Sequence, residues 1–202
     1  MKIAFLLCAG YLLGSIPFGL IIGKVICGID IRKTGSGNIG ATNVLRTLGP
    51  GPGGAVFILD VLKGFIPVFI AKDLFEGLPL LVIACGVAAV MGHTFSIFLK
   101  FRGGKGVATG LGVVFGLNPA IGAIGFGVWA VLVFLFRYVS LASILAVAAV
   151  ASMCWVSGMN PIYSGFITLI SALIIIKHRS NIIRLLQGKE ARWGEKANKS
   201  EG

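Results

Sequence analysis

Six stretches of the chain, residues 3–23, 51–71, 78–98, 120–136, 139–156 and 162–176, are almost continuously apolar. Their lengths lie close to the roughly 20 residues that a helix needs to cross a bilayer. No water-soluble core of this size could hide so much apolar surface: 56% of the 202 residues are hydrophobic and 12% charged, where soluble domains carry about 25% charged residues. With lipid as the solvent, backbone N–H and C=O groups must be paired internally, so the stretches are predicted to be helices. The expectation is an all-α integral membrane protein, with a single polytopic domain over residues 1–190 and a disordered tail over 191–202. The first run continues to Gly23 without an A-x-A cleavage site, and Leu7 precedes Cys8 where a lipoprotein signal needs a small residue. It reads as a retained span.

A seventh apolar piece, residues 106–117, is rich in glycine, short, and stopped by Asn118-Pro119. Charge decides how to count it. If it crosses, Lys24, Arg32, Lys33, Arg46, Lys100, Arg102, Lys105, Arg137 and the seven basic residues from Lys177 onward fall on one side, with only Lys2 and Lys72 on the other. The positive-inside rule then predicts seven transmembrane helices with a short fourth one, the N-terminus outside and the C-terminus in the cytoplasm. The net charge of +11 fits this sidedness or an anionic ligand, and nucleic acid is not expected. Glycine pairs at four-residue spacing, Gly10/Gly14, Gly19/Gly23, Gly106/Gly110 and Gly112/Gly116, predict close helix packing. Cys8, Cys27, Cys85 and Cys154 lie far apart in or at the ends of apolar runs, as small buried residues do.

Three polar segments share the predicted cytoplasmic face. The first, residues 34–49, reads T-G-S-G-N-I-G-A-T-N-V-L-R-T-L-G. Gly35, Gly37 and Gly40 allow successive N–H groups to converge on an anion, and Ser36, Asn38, Thr42 and Asn43 add side-chain donors. A helix starting near Ala41 would bring Arg46 and a helix N-terminus to the same phosphate. The second segment, residues 98–109, sets Lys105 behind Gly103 and Gly104 and before Gly106, a point charge beside exposed amides. It is not a Walker A loop, since Leu99 and Gly106 stand where Gly and Ser or Thr are required. In the third, residues 177–190, His178 and Asn181 are three apart and would share a face on a continuing helix, with Arg179 and Arg184 nearby. The other histidine, His93, lies one turn inside the end of the third span. Asp60 and Lys63 form the only ionised pair expected within a span, open to a structural or a functional reading.

These features narrow the chemistry. Transporter hallmarks, internal repeats and polar groups at the midplane, are not visible. A two-metal phosphotransferase needs clustered carboxylates, and Asp60 is alone. Phe98 and Ile183 stand five residues after the histidines, so the His-x4-Asp dyad of coenzyme-A-dependent glycerolipid acyltransferases is missing, and no G-x-S-x-G occurs. Three polar segments at one membrane face suit an enzyme working at the interface on a phosphorylated lipid precursor.

The motifs G-S-G-N-I-G-A-T-N with Arg46, F-R-G-G-K-G-V-A-T, and H-R-S-N-I-x-R-L-x-x-G-x-E resemble the three cytoplasmic motifs of the bacterial acyl-phosphate-dependent glycerol-3-phosphate acyltransferase family, and the likeness runs from S-I-P-F-G in the first span to Glu190. The resemblance implies transfer of the acyl group of acyl phosphate to the 1-hydroxyl of glycerol 3-phosphate, giving lysophosphatidic acid and phosphate, without coenzyme A, metal or other cofactor. It implies a multi-pass protein of the bacterial plasma membrane with its active site facing the cytoplasm. The family's functional positions fall on Ser36, Asn38, Asn43, Arg46, Lys105, His178 and Asn181, with Gly103, Gly104 and Gly106 shaping the loop; Gly35, Gly37, Gly40 and Thr42 complete the expected substrate contacts. Two readings of the proton acceptor stay open, His178 or a phosphate oxygen of the donor, and a phosphate or lysolipid transporter is the alternative function.

Overall fold

The computed structural model describes residues 2–195, and among them the only regular secondary structure is helix. The first span is α1 (Lys2–Ser15), interrupted at Ile16-Pro17 and resumed by α2 (Phe18–Ile21) and a π-helical turn, Ile22–Ile26. A short 3-10 turn and the glycine loop lead to α3 (Ala41–Leu48). Then follow α4 (Pro50–Leu74), α5 (Pro79–Thr94), α6 (Val107–Leu117), α7 (Pro119–Phe136), α8 (Val139–Val156), α9 (Pro161–Lys177) and α10 (Arg179–Leu186). Pro50, Pro79, Pro119 and Pro161 each open a helix, where the fixed φ suits the first turn and the missing N–H would have no partner. Asn118 and Asn160 cap two of these starts, accepting from Ala120 N at 3.1 Å and Ile162 N at 2.9 Å.

Five helical segments are long and apolar enough to cross a membrane, and six if α9 and α10, bent by 55° against each other, are taken as one span. The remaining apolar helix, α6, has 11 residues and on its own is about 16 Å long, half the hydrocarbon thickness.

Small residues set how the helices meet. On the α1–α5 seam Gly14 lies directly on the Ala89 backbone and Gly92 on the Tyr11 carbonyl; on the α4–α6 seam Gly64 faces the Thr109 carbonyl and Gly112 the Val61 carbonyl. A Cβ at any of these would enter the neighbouring backbone. The pairs Gly10/Gly14 and Gly112/Gly116 thus serve helix packing as their spacing predicts. Gly19 and Gly23 do not: they lie against the carbonyls of Ile39 and Ile29, because that face of the first span's second half packs on its own following loop. Gly106 has φ 87° as the residue before α6, and Gly110 meets the Ile174 side chain. The glycine loop has its own small core of Ile22, Ile31, Ile39, Val44, Val56 and Leu99.

The buried pair Asp60 and Lys63, 2.7 Å apart, is spaced one turn apart in the middle of α4. Lys63 also donates to Ile16 O at 2.9 Å, at the break before Pro17. Of the cysteines, Cys85 and Cys154 are buried as expected, whereas Cys8 is exposed on the outer face of α1 and Cys27 is partly exposed. In the first part of the predicted tail, Trp193 N donates to Arg137 O at 2.6 Å, and Arg192 lies 5.5 Å from the Tyr138 ring. The unpaired carbonyl of Arg137, at the end of α7, and an aromatic neighbour hold it there. Residues 196–202 lie outside the described residues.

Gly112→Val should cost upward of about 3 kcal/mol by overpacking, seen as a lowered Tm in detergent, while Gly127→Val, with nothing within 4 Å of an added Cβ, should leave Tm unchanged.

Candidate active site

One cavity of about 1010 Å³ collects side chains from all three polar segments. Ser36, Thr42, Arg46, Lys105, His178 and Asn181 line its polar end, and Leu111, Val114, Phe126, Val147, Val150 and Ile170 are among the apolar residues that line the rest. Gly35, Asn38, Gly40, Asn43 and Gly106 also border it, whereas Gly37, Gly103 and Gly104 do not.

The first motif is organised around Asn43, which is 2% exposed. Its amide nitrogen donates to the carbonyls of Ile31 (2.9 Å), Thr34 (3.1 Å) and Asn38 (2.8 Å), and its oxygen accepts from Ser36 N at 2.9 Å. Asn38 accepts from Gly40 N at 2.8 Å and Gly37 N donates to Thr34 O at 3.0 Å. The amides of Ser36, Gly37 and Gly40, and the Asn43 side chain, thus have their partners within the loop itself. A tight turn with buried carbonyls consumes its own donors before any ligand arrives. The Ser36 and Thr42 side chains, the start of α3 at Ala41 and the Arg46 guanidinium remain for an anion. Arg46 donates to Ala191 O at 2.9 Å.

In the second motif Gly103 N donates to Thr94 O at 3.1 Å and Gly104 N to His93 O at 3.0 Å. This folds the loop back on the end of α5, so that the two glycines face the helix and only Lys105 and Gly106 face the cavity. Lys105 donates to Asn181 Oδ1. Burial, together with the Arg184 and Arg46 charges, brings its pKa down to about 8 against the opposing pull of Glu190.

In the third motif the helix does not continue through His178 but bends there, between α9 and α10. His178 and Asn181 still face the same cavity, joined by Arg184, whereas the exposed Arg179 does not line it. The His178 Nδ1 is 2.8 Å from Ile174 O, so Nδ1–H is the donor and the Nε2 lone pair is left to accept. Lying beyond the last span, this imidazole is lowered to about 4, by burial first and then by the Lys105 charge. Glu190 is the residue the sequence reading passed over as a site residue, although the third motif ends on it. Its Oε1 accepts from Ser140 Oγ and Asn181 Nδ2, each at 2.7 Å, and its Oε2 pairs with Arg184 Nε at 2.7 Å. Burial alone would raise its pKa, but these donors and the Arg184 charge prevail and hold it below the usual range. Asp60 and His93 also border the cavity. Among the described residues no three His, Cys, Asp or Glu side chains are grouped to hold a metal ion.

An all-helical integral membrane protein with a cationic pocket opening into an apolar channel is the class this geometry defines. The sequence profile of the family described as Glycerol-3-phosphate acyltransferase matches residues 4–188. A glycerol-3-phosphate acyltransferase of Aquifex aeolicus is 48% identical over 195 residues, covering 96% of this chain and 100% of the relative. One of Thermotoga petrophila is 48% identical over 183 residues, covering 90% and 91%. The crystal structure of PlsY (YgiH), an integral membrane glycerol 3-phosphate acyltransferase, in its glycerol 3-phosphate form, superposes with a TM-score of 0.93 at 47% identity, covering 96% of each chain. Its lysophosphatidic acid form gives 0.90 at 46% identity, covering 96% of this chain and 97% of that one. The chain belongs to the glycerol-3-phosphate acyltransferase family.

Because Asn43 closes the first loop from within, Asn43→Ala removes four hydrogen bonds and takes the loop-closing partner from the Asn38 carbonyl and the Ser36 amide. It should lose about 2–4 kcal/mol of stability and with it activity, checked by thermal unfolding alongside turnover; a fully stable but inactive variant would make Asn43 a ligand donor instead.

Proposed function

We propose that the protein transfers the acyl group of acyl phosphate to the 1-hydroxyl of glycerol 3-phosphate, releasing lysophosphatidic acid and inorganic phosphate without coenzyme A. The observation that carries this reading is one cavity whose lining joins the cations Arg46 and Lys105 to a long aliphatic wall. That is the chemistry of two phosphates and one acyl chain held together, and family membership sets aside the phosphate or lysolipid transporter. Acyl phosphate is a mixed anhydride with a good leaving group, so alignment and charge stabilisation supply most of what the reaction needs.

The proton is assigned by the state of His178. A neutral ring with Nδ1–H on Ile174 O offers Nε2 to the glycerol hydroxyl and orients it, yet with a pKa of about 4 it is a weak base at pH 7. The hydroxyl oxygen bonds to the acyl carbon as the carbon–oxygen bond to phosphate breaks, and the hydroxyl proton passes to an oxygen of the departing phosphate. Ser36, Thr42 and Asn181 add polar contacts beside the two cations, and Glu190 orients Asn181. Gly106, which precedes α6, holds the loop so that Lys105 stands at the phosphate.

The same reading places the protein in the bacterial plasma membrane with seven crossings, the N-terminus outside and the site facing the cytoplasm. The support is the α4–α6 seam, which runs parallel: Gly64 meets Thr109, Val68 meets Gly116, and Lys72 Nζ donates to Leu117 O at 3.3 Å. The end of α6 thus lies beside the far end of α4, and a helix that begins inside the Gly103 loop completes a crossing.

Purified protein given palmitoyl phosphate and glycerol 3-phosphate should form lysophosphatidic acid; none formed by folded protein would refute the assignment. Lys105 is charged below its pKa of about 8, so kcat/KM should fall as pH rises past about 8 and recover in Lys105→Arg. An acid limb near pH 6 belongs to substrate phosphate and should persist in His178→Gln, which raises KM; loss of that limb in the variant would make the imidazole the base. For topology, single cysteines at Thr34, Arg102 and Gln187 should resist an impermeant reagent in intact cells and react after permeabilisation. Labelling of position 102 from outside would refute the α6 crossing.

A further inference from the structure

His93 is 4% exposed, borders the cavity, and has no part in the proposed reaction. Its Nδ1 has no hydrogen-bond partner among the described residues and stands 3.8 Å from Oδ1 of Asp60, which Lys63 holds at 2.7 Å. A buried polar nitrogen left without a hydrogen bond is costly, so simple space filling does not account for a histidine here. The opposite edge of the ring explains it. Gly104 lies on the imidazole so closely that an added Cβ would collide with Nε2, and Gly104 N donates to the carbonyl of His93 itself at 3.0 Å. The next residue is Lys105, whose ammonium reaches Asn181.

We propose that His93, facing the Asp60–Lys63 pair, is a positioning residue: its ring is the platform under Gly104 that sets how far the Lys105 ammonium reaches into the cavity. The line of contacts runs from the proline break in the first span, through Lys63 on Ile16 O and Asp60, to His93 and the loop. Such a residue acts only through the lysine it places, and displacement of a binding group by about 1 Å is enough to cost much of its effect.

The inference rests on the acyltransferase reading for its assay, and a double-mutant cycle tests it. Lys105→Ala identifies, by the KM that rises, which phosphorylated substrate the lysine holds. His93→Ala should raise the same KM about tenfold with kcat within about threefold, and His93→Gln, whose amide reaches the position of Nε2, should recover most of the loss. In the Lys105→Ala background the His93 substitution should add nothing. If His93→Ala fails to fold, His93→Asn, which keeps a polar group facing Asp60 but withdraws the Nε2 edge, takes its place in the cycle with the same expectation. Additive losses in the two backgrounds, a loss confined to kcat, or equal recovery by Asn and Gln would each overturn the proposal. An inactive wild-type protein would refute the acyltransferase reading instead, which keeps the two failures apart.

Discussion

The carboxylate of Glu190 lies buried among donors from three parts of the chain: Ser140 on α8, Asn181 and Arg184 on α10, and through Asn181 the ammonium of Lys105. The next residue along, Ala191, gives its carbonyl to Arg46. Two adjacent residues thus anchor the third motif to the other two. Without this anion, Lys105, Arg184 and Arg46 would converge on the cavity with little to offset their repulsion. The carboxylate also divides the labour among the cations. Arg184 is committed to it directly, whereas Lys105 touches only the amide that the carboxylate holds and keeps capacity for a ligand.

Much of the architecture was legible because lipid leaves few choices. The apolar windows, the proline and asparagine at helix starts, and the glycine spacing on α1 and α6 each have one physical use in that solvent, and the helices follow them closely. Residue types also pointed to the site: Arg46, Lys105, His178 and Asn181 come from three distant segments and meet at one cavity. What sequence could not disclose was which donors were already occupied. Asn43 and the loop amides look like anion ligands by composition, yet the turn they build uses them up, and only the three-dimensional path of residues 31–43 reveals that. Glu190 stood in plain view at the end of the third motif, but a carboxylate among cations is an unexpected neighbour for phosphate until its hydrogen bonds are seen. The bend at His178 was likewise hidden, since no glycine or proline marks it.

The position of α6 carries a further consequence. The helix begins level with the Asp60 region of α4, ten residues past Pro50, or about 15 Å along that helix, so the loop bearing Lys105 is sunk well below the helix end. For the proposed reaction, the water-soluble partner descends to the level of the acyl carbonyl while the fatty chain stays among its own kind. The membrane's thickness then serves as the alignment device, and the protein is spared the work of lifting a greasy substrate into water.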